Sequence, residues 1–250
     1  MSALVSVAAL TLALGWGQPA AAEVREVADF ERISFSLPAT LVLETGDRHQ
    51  VAIEAAADDL GRIVSESRNG ELQLRWQTRG GSDRRSRPSA PVVVTVTAPQ
   101  LSSLRVTGSG GVSGGSWSGK RFEVVATGSG TVHFASLEVG ELRVRLSGSG
   151  GLEVESLQAD NAGVDVMGSG GVVLRGVAPR QTLKLTGSGR VDAGELAGTE
   201  VSVRTLGSGT AIVWAEGALA VEIMGSGDVS FRGSPEITSR SHGSGKLLSL

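Results

Sequence analysis

Gly108-Ser109-Gly110 returns as Gly128-Ser129-Gly130, Gly148-Ser149-Gly150, Gly168-Ser169-Gly170, Gly187-Ser188-Gly189, Gly207-Ser208-Gly209, Gly225-Ser226-Gly227 and Gly243-Ser244-Gly245. Successive triplets start 20, 20, 20, 19, 20, 18 and 18 residues apart. A fixed period of this length marks a stacked repeat architecture. Aligning the triplets produces apolar columns. Four residues before each stand Leu104, Val124, Val144, Val164, Leu183, Val203, Val221 and, last, Ser239. Two residues before stand Val106, Ala126, Leu146, Val166, Leu185, Thr205, Ile223 and Ser241. Two residues after come Val112, Val132, Leu152, Val172, Val191, Ala211, Val229 and Leu247. Two further on, Gly114, Phe134, Val154, Leu174, Ala193, Val213, Phe231 and Ser249 follow.

Alternation of period two on both sides of each triplet describes short strands with one face inward. A third inward position follows at Trp117, Leu137, Leu157, Val177 and Leu196. Three short faces per coil predict an all-β β-solenoid, with equivalent residues stacked ~4.8 Å apart. Eight such coils make a rod on the order of 35–40 Å long, and about ten or more coils are expected in all. Glycine fits a sharp corner repeated in every coil, because it has no Cβ to clash at unusual φ. The serine between can bond local backbone or the next coil's serine.

The ends of the chain frame this array. Leu4 to Trp16 is apolar, and Ala20 and Ala22 supply small residues before Glu23. Residues 1–22 therefore read as a signal peptide, the alternative being a short membrane anchor. The chain contains no Cys, so neither a disulfide nor a lipid-attachment thiol is available. No second apolar stretch reaches spanning length, so no integral membrane segment is expected in the mature chain. Residues 23–100 read as an N-terminal cap with irregular first coils, and 101–250 as regular repeats of one continuous domain. Strands are expected at Ile33–Leu37, Thr40–Glu44, Gln50–Glu54, Glu71–Trp76 and Pro91–Thr97, with a short helical turn from Ala57 to Val64. A basic loop covers 78–90, with Arg79, Arg84, Arg85 and Arg87. An exposed stack end needs a cap. Ser239, Ser241 and Ser249 fill that need at the C-terminal end, or leave it open for end-to-end assembly.

These residues carry a family resemblance. Phe30 to Leu37, Thr45-Gly46-Asp47, Val51 to Glu54, Asn69-Gly70-Glu71-Leu72 and Val94 to Pro99 leading to Leu101 and Leu104 resemble the opening of the putative auto-transporter adhesin head domain, the GIN-type domain of exported bacterial proteins. Gly225-Ser226-Gly227-Asp228-Val229, Gly233-Ser234-Pro235 and Gly243-Ser244-Gly245 resemble its end. The resemblance spans roughly residues 24–248. It implies a single-stranded, right-handed parallel β-helix and an adhesive role, and brings no catalytic residues. After the last triplet little sequence remains for a translocator barrel, so the chain itself is not expected to be an autotransporter.

Net charge is −3, which provides no global attraction to nucleic acid. A phosphate loop occurs once, between strand and helix; eight triplets without helices are corners. A calcium β-roll needs an Asp after each glycine turn, and only Asp228 follows a triplet directly. His49, His133 and His242 lie far apart with no partner at metal-ligand spacing, so no metal, cofactor or catalytic residues are assigned. β-Helices also host polysaccharide lyases and hydrolases. Glu153 and Asp192, two coils apart with Val173 between, are the nearest to a carboxylate pair, at the wide end for an inverting glycosidase. Three residues before the triplets, the outward column reads Arg105, Val125, Arg145, Asp165, Lys184, Arg204, Glu222 and Arg240. Arg105, Arg145, Lys184, Arg204 and Arg240 form a basic stripe suited to an acidic polysaccharide, or simply a solvated charge ladder. Aromatic platforms are scarce: Trp117 is expected inside and Trp214 outside. The sequence thus predicts a non-catalytic exported binding, adhesion or envelope scaffold module in the periplasm or at the cell surface. Its expected partner is an acidic polysaccharide or an envelope protein. A carbohydrate-active enzyme and a self-assembling structural protein, with homo-oligomers, are the alternatives.

Overall fold

The computed structural model describes residues 9–10, 20–77 and 87–250. Its elements, in chain order, are β1 (Ala9–Leu10), β2 (Ala20–Glu26), β3 (Arg32–Ser36), β4 (Thr40–Thr45), β5 (Gln50–Ala56), α1 (Ala57–Leu60), β6 (Ile63–Arg68), β7 (Glu71–Trp76), β8 (Val93–Ala98), β9 (Ser103–Gly108), β10 (Gly111–Gly128), β11 (Thr131–Gly148), β12 (Gly151–Gly168), β13 (Gly171–Val177), β14 (Arg180–Gly187), β15 (Arg190–Gly207), β16 (Thr210–Gly225), β17 (Val229–Arg232), β18 (Glu236–Gly243) and β19 (Leu247–Ser249). From β9 onward every pairing is parallel, and each coil joins the next about one period on, such as Val124 with Val144 and Val144 with Val164. The result is a β-solenoid of about seven turns, fewer coils than the period alone predicts.

The four apolar columns line the interior. Val124, Val144, Val164, Leu183 and Val203 are all buried, as are Phe134, Val154, Leu174 and Val213. Packing between coils compensates for uneven side-chain size. Gly114 sits in the column of Phe134, and a Cβ there would meet the Phe134 ring at 2.4 Å. The ring fills that space and meets Phe122 edge-on, with centroids 5.3 Å apart. One inward expectation fails. Val177 is 41 % exposed, and Gly176 takes the inward register between Leu157 and Leu196. That coil is one residue short, so the chain bulges and Val177 turns outward. The buried Gln181 braces it, donating to the carbonyls of Ala178 and Leu196.

The corners show why both glycines of a triplet are required. Gly128 has φ of 117°, a region costly for residues with a Cβ. Its carbonyl accepts from the Ser149 and Gly150 amides of the next coil at 2.9 and 3.0 Å. A Cβ on Gly150 would lie 2.3 Å from the Gly130 oxygen. The first glycine is fixed by φ and by close approach, the second by approach alone. Ser129, Ser149, Ser169, Ser188, Ser208 and Ser226 donate their backbone N–H to the preceding coil; the Ser244 hydroxyl pairs with that of Ser226, 3.0 Å away.

The N-terminal part is interleaved. β3 and β4 form a coil whose Leu37-Pro38-Ala39 corner underlies the first triplet, with Gly111 N–H donating to Ala39 O. β7 and β8 form the next coil out, parallel to β3 and β4. The chain then steps back across, and β9 and β10 pair with the other edges of β3 and β4. β5, β6 and β2 close the outer end with antiparallel pairings, β5 on β8, β6 on β7 and β2 on β5. These strands satisfy the edge that a bare stack would present. Strand β6 and strand β2 are absent from the sequence expectation, while the helical turn is α1 alone. Asp59, fully buried, accepts both the N–H and the hydroxyl of Ser89 at 2.7 Å and so fastens the returning end of the basic loop. Arg79, Arg84 and Arg85 of that loop lie outside the described residues. At the other end, all eight residues of β18 are exposed, Ser239 and Ser241 among them.

Candidate functional site

Because the apolar columns point inward, the residues between them on each strand must point out. The register places Arg105, Val125, Arg145, Asp165, Lys184, Arg204, Glu222 and Arg240 in one unbroken file, each hydrogen-bonded strand position opposite the next. The five cations are all exposed. Their surroundings differ. Arg145 donates to Glu123 at 2.7 Å, and Arg204 lies 3.5 Å from Glu222. Arg105, Lys184 and Arg240 have no ion pair or side-chain hydrogen bond among the described residues. Asp165, between Arg145 and Lys184, has none either.

The face is not flat. The adjacent outward file runs Glu123, Arg143, Gly163, Thr182, Ser202, Ala220 and Thr238. At Gly163 it has no side chain, and a depression of 620 Å³ opens there. Its rim carries Arg143 and Arg145 on one coil and Arg180 and Lys184 two coils on, with Asn161 and Asp165 on the coil between. A second depression of 320 Å³ shares Thr182 and Lys184 and reaches Arg204 and Arg240. Glu141 accepts from both Arg121 and Arg143, and these bonds, that from Arg143 first, hold its carboxyl below the usual range. Arg180 donates to the Asn161 side-chain carbonyl at 2.7 Å, not to a carboxylate. Arg143, Arg180 and Gly163 escape a search along one charged column; aligning the neighbouring outward columns exposes them.

On the other outward face the register places Val173 between Glu153 and Asp192. Glu153 accepts from Arg175 at 2.6 Å. That hydrogen bond holds its carboxyl below the ordinary value, the opposite of what a general acid requires. Arg175 also reaches Glu195 at 3.2 Å, and Asp192 accepts from the Gly194 N–H. The pair is built as a charge ladder. His133 lies 2.9 Å from Glu155, and His49 sits between the Phe30 carbonyl and the Asp29 carboxylate at 2.9 and 3.0 Å. Trp117 is buried, and Trp214 is on the outside beside Glu216.

A family model described as "Putative auto-transporter adhesin, head GIN domain" matches residues 29–235. The chain belongs to this family. Among solved structures, a protein named as a putative lipid binding protein from Parabacteroides distasonis ATCC 8503 superposes with TM-score 0.85 at 22 % identity, over 92 % of this chain and 96 % of that one. A putative adhesin from the same strain gives TM-score 0.85 at 21 % identity over the same shares. A putative adhesin from Parabacteroides merdae ATCC 43184 gives TM-score 0.85 at 19 % identity, over 92 % and 95 %. At these identities the likeness is one of fold. No curated protein matches the chain. Among the described residues no helix is long and apolar enough to cross a membrane.

Proposed function

We propose that this GIN-family chain is an exported, non-catalytic binding module, an adhesion or envelope scaffold domain whose basic face takes an acidic polysaccharide. One observation carries the reading. In a protein of net charge −3, the stacking brings Arg105, Arg145, Lys184, Arg204 and Arg240 into one axial file, three of them without a partner among the described residues. A linear polyanion lying along the solenoid axis meets these cations in succession. The family description and the names of the structural neighbours, adhesins and a lipid binding protein, support binding over catalysis. Export rests on the apolar N-terminal run, and cleavage before Glu23 leaves Glu23–Glu26 paired with Gln50–Ile53. The purified protein should bind immobilised polygalacturonate saturably, with retention falling as salt rises from 0.05 to 0.5 M, because exposed charges are screened. Absence of retention at low salt overturns the proposal.

A second reading has its own support. Met167 and Leu206 are 46 % and 48 % exposed and lie in the outward file next to Lys184 and Arg204. Cations beside exposed apolar side chains suit an acidic amphiphile. Co-sedimentation with anionic vesicles, lost in Leu206→Glu, identifies this case; no co-sedimentation removes it.

A further inference from the structure

The 620 Å³ depression over Gly163 has properties that neither the corners nor the core require. Gly163 lies inside β12 in extended conformation. A Cβ added there would meet only the Leu142 carbonyl oxygen, at 3.8 Å, an ordinary contact. Glycine is therefore not needed for folding at this position; its effect is to lower the floor between two coils. Around that floor stand four cations, Arg143, Arg145, Arg180 and Lys184, and two carboxylates, Glu141 and Asp165, with Glu123 engaging Arg145 beside it. Glu141 is already shared by Arg121 and Arg143. The volume lies within the ~300–1,000 Å³ of small-molecule sites. The two cationic pairs are two coils apart, ~10 Å.

We infer that this depression is a subsite for an acidic sugar residue, a hexuronate within an oligosaccharide. Its carboxylate faces Lys184, the rim cation with no partner among the described residues, and its hydroxyls donate to Asp165. This rests on the acidic-polysaccharide reading and makes it specific. Asp165 decides the chemistry. It stands in the middle of the cations with no ion pair or hydrogen bond among the described residues. A bare inorganic anion gains nothing from a carboxylate at that place and is repelled by it. A sugar acid carries hydroxyl donors beside its carboxylate and uses both signs of charge.

Calorimetric titration of the full chain with trigalacturonate, neutral galactotriose and inorganic phosphate at low salt tests the subsite. Trigalacturonate should bind saturably and galactotriose should not. Gly163→Leu, which fills the floor, should weaken trigalacturonate at least about tenfold with the unfolding midpoint retained. Lys184→Met, which removes a cation with no partner among the described residues, should weaken it by about tenfold, as loss of a charge-assisted bond does. Asp165→Ala should also weaken trigalacturonate. No binding by the wild-type chain, unchanged binding in both Gly163→Leu and Lys184→Met, or tighter trigalacturonate binding in Asp165→Ala overturns the inference. Retention on polygalacturonate, measured in parallel, separates the two levels. Retention without trigalacturonate binding removes the subsite and leaves the binding face; loss of both removes both.

Discussion

The corner line and the basic face run side by side along the solenoid, built from the same coils, yet they obey different rules. At the corner, every Gly-Ser-Gly coil repeats one geometry. Gly150 cannot take a Cβ without striking the Gly130 oxygen at 2.3 Å, so the sequence repeats with the structure. On the face, only direction is fixed. Arg143, Gly163 and Thr182 succeed one another in one file, and no backbone contact dictates which side chain stands there. Two glycines, Gly150 and Gly163, thus have opposite meanings: one is demanded by the backbone of the next coil, the other leaves a space. What the coil does not constrain is free to carry recognition.

The strongest way to break this contrast is to disturb the interior that both regions share. Phe134→Ala removes the ring that occupies the space beside Gly114 and should cost about 3–5 kcal/mol in urea denaturation. A cost below about 1 kcal/mol would mean the ring is not packed as described. Next comes the corner itself. Gly150→Ala should destabilise by about 3 kcal/mol, because backbone, not a flexible side chain, stands in the way. Gly163→Ala should stay within about 0.5 kcal/mol of wild type. Equal costs at the two glycines would erase the distinction. The smallest effect concerns pH on the opposite face. The Arg175 bond holds the Glu153 carboxyl low, so its contribution to stability is fully present above the ordinary carboxylate value of 4.5. It is lost as pH falls through the lowered folded-state value. The melting difference between wild type and Arg175→Ala should therefore be constant from pH 7 down to pH 5 and shrink below about pH 4. A difference that grows on acidification contradicts the ion pair.

The same contrast explains what could be read from the amino acids. Corners and inward columns are legible because their constraints are local and recur: the triplets, Val124 over Val144, Phe134 beside Gly114. The short coil escapes, because Gly176 and Val177 exchange roles through a one-residue bulge that column alignment does not register. The interleaved start escapes for another reason. Its corner is Leu37-Pro38-Ala39, which shares no residues with Gly-Ser-Gly, and strand order there depends on the chain after β8 stepping back past β3 and β4. Strand β2 was obscured because Ala20–Ala22 also suit a cleavage site. On the face, the charged file from Arg105 to Arg240 is legible, since side-chain direction follows from alternation. The depression is not, because it depends on three adjacent files at once: Arg180 and Asn161, Gly163, and Lys184 with Asp165.

On this reading the fold and the proposed binding face are separable. The most direct test is to measure, on one preparation of the Arg145→Glu, Lys184→Glu and Arg204→Glu triple variant, both its thermal unfolding and its retention on polygalacturonate. A cooperative transition at a Tm near that of wild type is expected, with retention lost. Undiminished retention by a folded triple variant would contradict it.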